Sequence, residues 1–291
     1  MYTIVQMQPP RKYIGRFRYG RKDVTFHFWA VLAEVTPPDT VIFLGAGQVG
    51  KIPKWVAAAA GDGVVVVEGL PHWMAAPDDE DVKRFTVTYV RHAMKIVLDT
   101  FDVTSMHLLA ESQAAPASII LAYLKPDRVR NLVLIKPLGF TVQAFGRSER
   151  ERMRVFRRRI IRTAVQLPQS FFHDPRNAAV TSIMARAMMR EPSAAALIKK
   201  YAIGISYDVS DDCRKVASLQ RRKGHSFTIV LGERDKIFPP AEVAEALARA
   251  KLGKDIVVEV VPGVSHSSLA VRASKSLLKR AVAIARQARR R

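Results

Sequence analysis

Cysteine is nearly absent from this chain: Cys213 stands alone in 291 residues. A single thiol excludes any disulfide framework within the chain and predicts a reducing compartment, the cytoplasm. Acidic residues are scarce as well, 26 against 47 lysines and arginines, which leaves a net charge of +21. Such an excess attracts anionic surfaces and substrates over long range but carries no information about fold. Long apolar runs are also missing. Charge, glycine or proline interrupts each one well before the roughly 18 residues that a bilayer span requires, so the chain is not expected to be integral to a membrane. The stretch from Met1 to Gly20 holds Pro9, Pro10 and several basic residues in place of an apolar signal core, so no targeting peptide is expected.

What the sequence does have is an alternating rhythm. Hydrophobic residues at 48% and charged residues at 25% fit a globular protein. Short β-rich runs appear at Val24 to Val35, Val41 to Leu44, Val64 to Val67, Met106 to Leu109, Leu132 to Ile135, Phe227 to Leu231 and Ile256 to Val261. Several are apolar throughout, as strands covered on both faces must be. Helical patterns lie between them at Pro53 to Ala60, Asp81 to Asp99, Ala114 to Leu124 and Ala241 to Ala250, with a last one from Ala273 to about Arg286. This order predicts an α/β fold with a mostly parallel, doubly wound sheet.

From Pro137 to Lys223 no convincing strand appears, and helical stretches are separated by Pro168, Asp174-Pro175 and Glu191-Pro192. Residues 1–136 and 224–291 are therefore expected to form the core, with 137–223 as a helical cap beyond the carboxyl ends of the strands, where open α/β sheets bind ligands. The cap opens with Arg147 to Arg162, where Met153, Phe156, Ile160 and Ala164 recur at helical spacing and arginines take the other faces. A basic helix there could meet an anionic surface or substrate.

Three strand ends carry candidate chemistry. In Ala110-Glu111-Ser112-Gln113-Ala114, Ser112 follows a strand and opens a helix, with small residues two positions away on each side. A nucleophile on a sharp strand-to-helix turn needs small flanks because the backbone there packs closely. A plain helix N-cap is the competing reading of Ser112. Gly232-Glu233-Arg234-Asp235 ends the next strand but one in a glycine turn, and Asp235 is the candidate acid, with Glu233 as the neighbour that could substitute. His266, in Val264-Ser265-His266, follows the last strand. A base that takes a serine proton needs a carboxylate to orient it and to stabilise the imidazolium. The chain order Ser, Asp, His matches that arrangement.

These segments, with Leu98 to Val103, Lys125 to Leu134 and Gly232 to Pro240, resemble the α/β-hydrolase superfamily from about Lys12 to the last helix. The resemblance implies an α/β-hydrolase fold and a serine hydrolase acting on a small-molecule ester or related acyl bond through Ser112, His266 and Asp235. It implies no cofactor and no metal. The backbone N–H groups of Gln113 and Ala46 would form the oxyanion hole; Leu44 stands where the family commonly has histidine. Carbon–carbon hydrolysis or acyl transfer on the same triad, or a non-catalytic binding protein, are the alternatives. Gly45-Ala46-Gly47 lacks the Gly-Lys-Ser/Thr ending of a phosphate-binding loop, and no dedicated nucleic-acid motif is present.

Overall fold

In the computed structural model the described residues are 11–31, 40–45, 64–67, 82–140, 209–235, 238–265 and 275–287, with Ser148, Arg150, Glu151 and Arg154. Eight strands form one sheet: β1 (Arg11–Tyr19), β2 (Lys22–Val31), β3 (Thr40–Leu44), β4 (Val64–Val67), β5 (Met106–Glu111), β6 (Val129–Ile135), β7 (Ser226–Arg234) and β8 (Val257–Ser265). Their order across the sheet is β1-β2-β4-β3-β5-β6-β7-β8. Strand β2 is antiparallel to both neighbours, and all pairs from β4 to β8 are parallel. The chain steps back from β3 to β4, beside β2, and then crosses to β5 on the other side of β3, so the carboxyl ends of β3 and β5 lie side by side.

The central parallel strands read as largely apolar runs because both of their faces are covered. Leu132 and Leu134 of β6 and Ile229 and Leu231 of β7 point into one core layer, whereas Val133, Ile135 and Val230 point into the other. The first layer is closed by α1 (Val82–Thr100), α2 (Ala115–Leu124), α3 (Ser210–Arg222) and α4 (Pro240–Arg249). Val90, Ala93, Met94, Val97 and Leu98 form the buried stripe of α1 at the three-to-four-residue spacing of a helix. The second layer is closed by α5 (Lys275–Gln287) through Leu277, Leu278, Ala281, Val282 and Ala285.

Strand β1 is an addition to the elements expected from sequence. Its Arg-Lys-Tyr-Ile-Gly-Arg-Phe-Arg-Tyr run lacks apolar continuity, but it alternates with period two, as an edge strand with one solvated face does. Tyr13 stacks on Phe28 with ring centroids 5.2 Å apart, and Tyr19 meets Phe85 edge-on at 4.9 Å. Gly15 lies under Phe26, whose ring would be 2.2 Å from an added Cβ, so only glycine admits that packing. Other boundaries move by a few residues. Strand β7 continues through Gly232 to Arg234 instead of turning at the glycine, and β8 runs on to Ser265. The helix expected at Pro53 to Ala60 lies outside the described residues.

Of the stretch 137–223 expected as a cap, both described ends are packed against the sheet. Phe140 is fully buried, and α3 places Cys213, Val216 and Ala217 in the first core layer. Burial also pushes the Cys213 thiol above its ordinary range. Ser148 and Glu151 form a reciprocal helix start: the Ser148 N–H and hydroxyl donate to Glu151 Oε2 at 3.0 and 2.7 Å, and the Glu151 N–H donates to Ser148 Oγ at 3.4 Å. Arg150 and Arg154, which follow, are exposed. The rest of this stretch lies outside the described residues.

Candidate active site

Ser112 sits where β5 gives way to a single 3-10 turn, Ser112–Ala114, that leads into α2. Its φ is +48°, in the left-handed region that non-glycine residues avoid at a cost of about 1–2 kcal/mol. A helix N-cap has extended backbone instead, so the conformation departs from that competing reading of Ser112. Ala110 and Ala114 are buried on either side of it, which is where small side chains are needed. The Ser112 carbonyl accepts the N–H of Ala115 and, at 3.1 Å, that of Leu138 from the turn after β6. Gln113 follows within the 3-10 turn at the start of α2, where backbone N–H groups lack intrahelical acceptors.

Beneath this turn lies an ion pair that the sequence reading missed. Glu111, the last residue of β5, and Lys136, the first after β6, are both buried, with Lys136 Nζ 3.5 Å from Glu111 Oε1. Lys136 also adopts a positive φ, +47°, and its N–H donates to the Val230 carbonyl of β7 at 2.9 Å. The available signal was one charge of each sign closing two short apolar runs, in Leu-Leu-Ala-Glu and Val-Leu-Ile-Lys.

Asp235 leaves β7 directly after Arg234 and is buried. Its N–H donates to the Gly232 carbonyl at 3.1 Å, and its Oδ1 accepts the Phe238 N–H at 2.8 Å, so a tight turn fixes the carboxyl group. Glu233 is exposed, and its Oε2 accepts the Gly263 N–H of β8 at 2.8 Å. The acid that could have substituted for Asp235 is thus engaged in joining β7 to β8.

The register between these two strands slips near their ends. Gly232 pairs with Val261 but Arg234 pairs with Ser265, so β8 bulges through Pro262, Gly263 and Val264. Gly263 supplies the positive φ, +71°, that the bulge uses. The bulge is possible because Gly232 has no side chain: a Cβ there would lie 2.3 Å from the Val264 carbonyl oxygen. Asp235 therefore leaves β7 next to the residue that ends β8. His266 is the next residue in the sequence and lies outside the described residues, as does Ala46. The strand leading to Ala46 ends beside the serine turn, since Leu44 pairs with Ala110, and the Gly45 N–H donates to Val67 O at 3.3 Å.

Ser112 and Asp235 thus stand at the carboxyl ends of β5 and β7, two strands apart, with β8 ending beside the acid. Among solved structures, an α/β-hydrolase enzyme from a deep-sea metagenome library of the Medee basin is similar over 95% of this chain and 98% of its own, with a TM-score of 0.58 and 13% identity. The chain has the α/β-hydrolase fold. An E-2-(acetamidomethylene)succinate hydrolase is similar over 95% of this chain and 100% of its own (TM-score 0.57, 19% identity). A haloalkane dehalogenase from Bradyrhizobium elkani is similar over 96% and 98% (TM-score 0.54, 14% identity). No protein-family model and no curated relative matches the sequence. Among the described residues there is no cluster suited to a metal ion, and no helix is long and apolar enough to cross a membrane.

Proposed function

We propose that the protein is a serine hydrolase of esters or related acyl bonds, with Ser112 as nucleophile, His266 as general base and Asp235 as the orienting acid. The observation that carries this reading is the positive φ of Ser112 at the strand-to-helix turn after β5. Such strain is kept where it presents a side chain for chemistry. The similar solved structures include an amide-containing succinate hydrolase and a dehalogenase, so the reaction class is argued from the site residues and not from the fold.

The Ser112 hydroxyl attacks the acyl carbonyl while His266 takes its proton, and Asp235 stabilises the imidazolium. The N–H groups of Gln113 and Ala46 receive the negative charge that forms on the carbonyl oxygen. Collapse of the intermediate expels the leaving group, which takes the proton from His266. Water then attacks the acyl carbon as His266 takes its proton, and collapse of this second intermediate breaks the bond to Ser112, which recovers the proton from His266, so the acid leaves and the enzyme returns unchanged. A helical cap within the stretch after Phe140 would shelter this site, and its arginines would favour anionic acyl substrates.

Active-site labelling tests the proposal. A fluorophosphonate should label the parent protein at Ser112, as read by peptide mapping, and Ser112→Ala and His266→Ala should each abolish labelling. Undiminished labelling of Ser112→Ala would overturn the assignment.

A further inference from the structure

Strand β1 forms one outer edge of the sheet and carries a row of cations that the proposed chemistry does not use. Lys12, Ile14, Arg16 and Arg18 alternate along its solvated face, while Tyr13, Phe17 and Tyr19 turn inward against the aromatic cluster with α1. At about 3.4 Å per residue the row is about 20 Å long. All four side chains are exposed, and Ile14, in the middle, is 56% exposed. Opposite them on β2 stand Trp29, His27, Thr25 and Asp23. The Lys12 ammonium lies over the Trp29 ring at 5.7 Å.

Asp23 is the only acidic residue between Arg11 and Val31, whereas Arg21 and Lys22 of the hairpin add two more cations. Some cations elsewhere on the described surface are paired: Lys95 with Asp99, Arg214 with Asp211, Arg249 with Glu245 and Arg280 with Glu259. Arg16 and Arg18 have no ion-pair partner among the described residues. Position separates this row from the site. Four strand spacings of about 4.8 Å set β1 about 19 Å from β5. The screening length at physiological salt is about 8 Å, so the row cannot steer substrate to Ser112. What it can attract is a surface large enough to lie against it.

We propose that the outer row of β1 docks the protein on an anionic lipid surface. The exposed isoleucine between cations favours a bilayer over nucleic acid, since it can enter the headgroup region while its neighbours meet phosphates. A nucleic-acid surface would give Ile14 no partner, and the rings opposite the row, Trp29 and His27, are buried and half-buried, so neither offers a base an open face to stack on.

Co-sedimentation of the intact protein with vesicles tests this proposal independently of any catalytic activity. Binding to phosphatidylcholine mixed with phosphatidylglycerol should exceed binding to phosphatidylcholine alone and should weaken as salt rises. Arg16→Gln/Arg18→Gln should lower partition about thirty-fold, since each basic residue near an anionic surface contributes about a factor of five. Arg214→Gln/Arg249→Gln removes the same charge from another surface and should leave partition near the parent value. Ile14→Ala should weaken vesicle binding but leave binding to a single-stranded oligonucleotide unchanged. All these side chains are exposed, so melting temperatures should match the parent. Equal loss in the two double variants would overturn the proposal in favour of net charge alone. Indifference to Ile14→Ala, with the oligonucleotide bound more tightly than the vesicles, would overturn it in favour of nucleic acid.

Discussion

Replacing Gly232 by alanine tests whether the close approach of β7 and β8 sets the geometry of the site. The added Cβ would sit 2.3 Å from the Val264 carbonyl oxygen, about 1.1 Å inside ordinary van der Waals contact. Asp235 cannot yield easily, because the Gly232 carbonyl and the Phe238 N–H hold its turn. The displacement therefore falls on the β8 bulge, and through Ser265 on the residue that follows it in sequence, the proposed base His266. Overpacking of this kind costs about 1–3 kcal/mol. A shift of about 1 Å between reacting groups costs about 10²-fold in rate. Fluorophosphonate labelling should slow by about that factor, and the denaturation midpoint should fall. Gly253→Ala is the control, since its Cβ would meet nothing within 4 Å and its φ is not in the positive region. It should leave labelling unchanged and be neutral or slightly stabilising. Parent-like labelling and stability in Gly232→Ala would show that the strand approach does not govern the site.

Other consequences follow from the same geometry. Ser112→Gly removes a Cβ at φ +48° and should be more stable than Ser112→Ala by about 1 kcal/mol, although neither is labelled; denaturant titration of the pair measures the strain. Lys136→Met removes the buried cation beside Glu111 and should cost about 3–5 kcal/mol; adding Glu111→Gln should recover part of that, which denaturant titration would reveal. Burial first, then Arg130 and Lys223, depresses the His225 pKa below its ordinary 6.5, so the native state favours the neutral ring. Its contribution to stability is present above 6.5 and is lost as pH falls through the depressed value; a melting series across this acidic range should show a shallower decline in His225→Asn.

The parallel core was legible because strands buried on both faces leave uninterrupted apolar runs, as in Leu132 to Ile135. Strand β1 was not, since an edge strand needs only one apolar face and its arginines hide the alternation of Tyr13, Gly15, Phe17 and Tyr19. The places of Ser112 and Asp235 at the carboxyl ends of β5 and β7 were legible because each directly follows an apolar strand. The function of Gly232 was misread as turn formation. A glycine demanded by a strand in another part of the chain looks the same in sequence as one demanded by local backbone, and only the Val264 carbonyl distinguishes them. The Glu111–Lys136 pair was likewise hidden, because the 24 intervening positions conceal that β5 and β6 are neighbours.

That pair bears on how the strained serine is held. Two adjacent parallel strands, β5 and β6, are each followed by a non-glycine residue at positive φ, Ser112 and Lys136. Each such residue would gain about 1–2 kcal/mol by relaxing to a common conformation. Neither can do so alone. Rotation at Ser112 would move the carbonyl that accepts the Leu138 N–H, and rotation at Lys136 would break its bond to Val230 O and draw the ammonium from Glu111. Separating a buried ion pair costs more than the strain that would be released. The two turns therefore form one mechanical unit, anchored through Val230 to β7, the strand that presents Asp235. A serine held in this way is tied to the strand that carries Asp235 as well as to α2, whose first N–H, that of Ala115, its carbonyl also accepts.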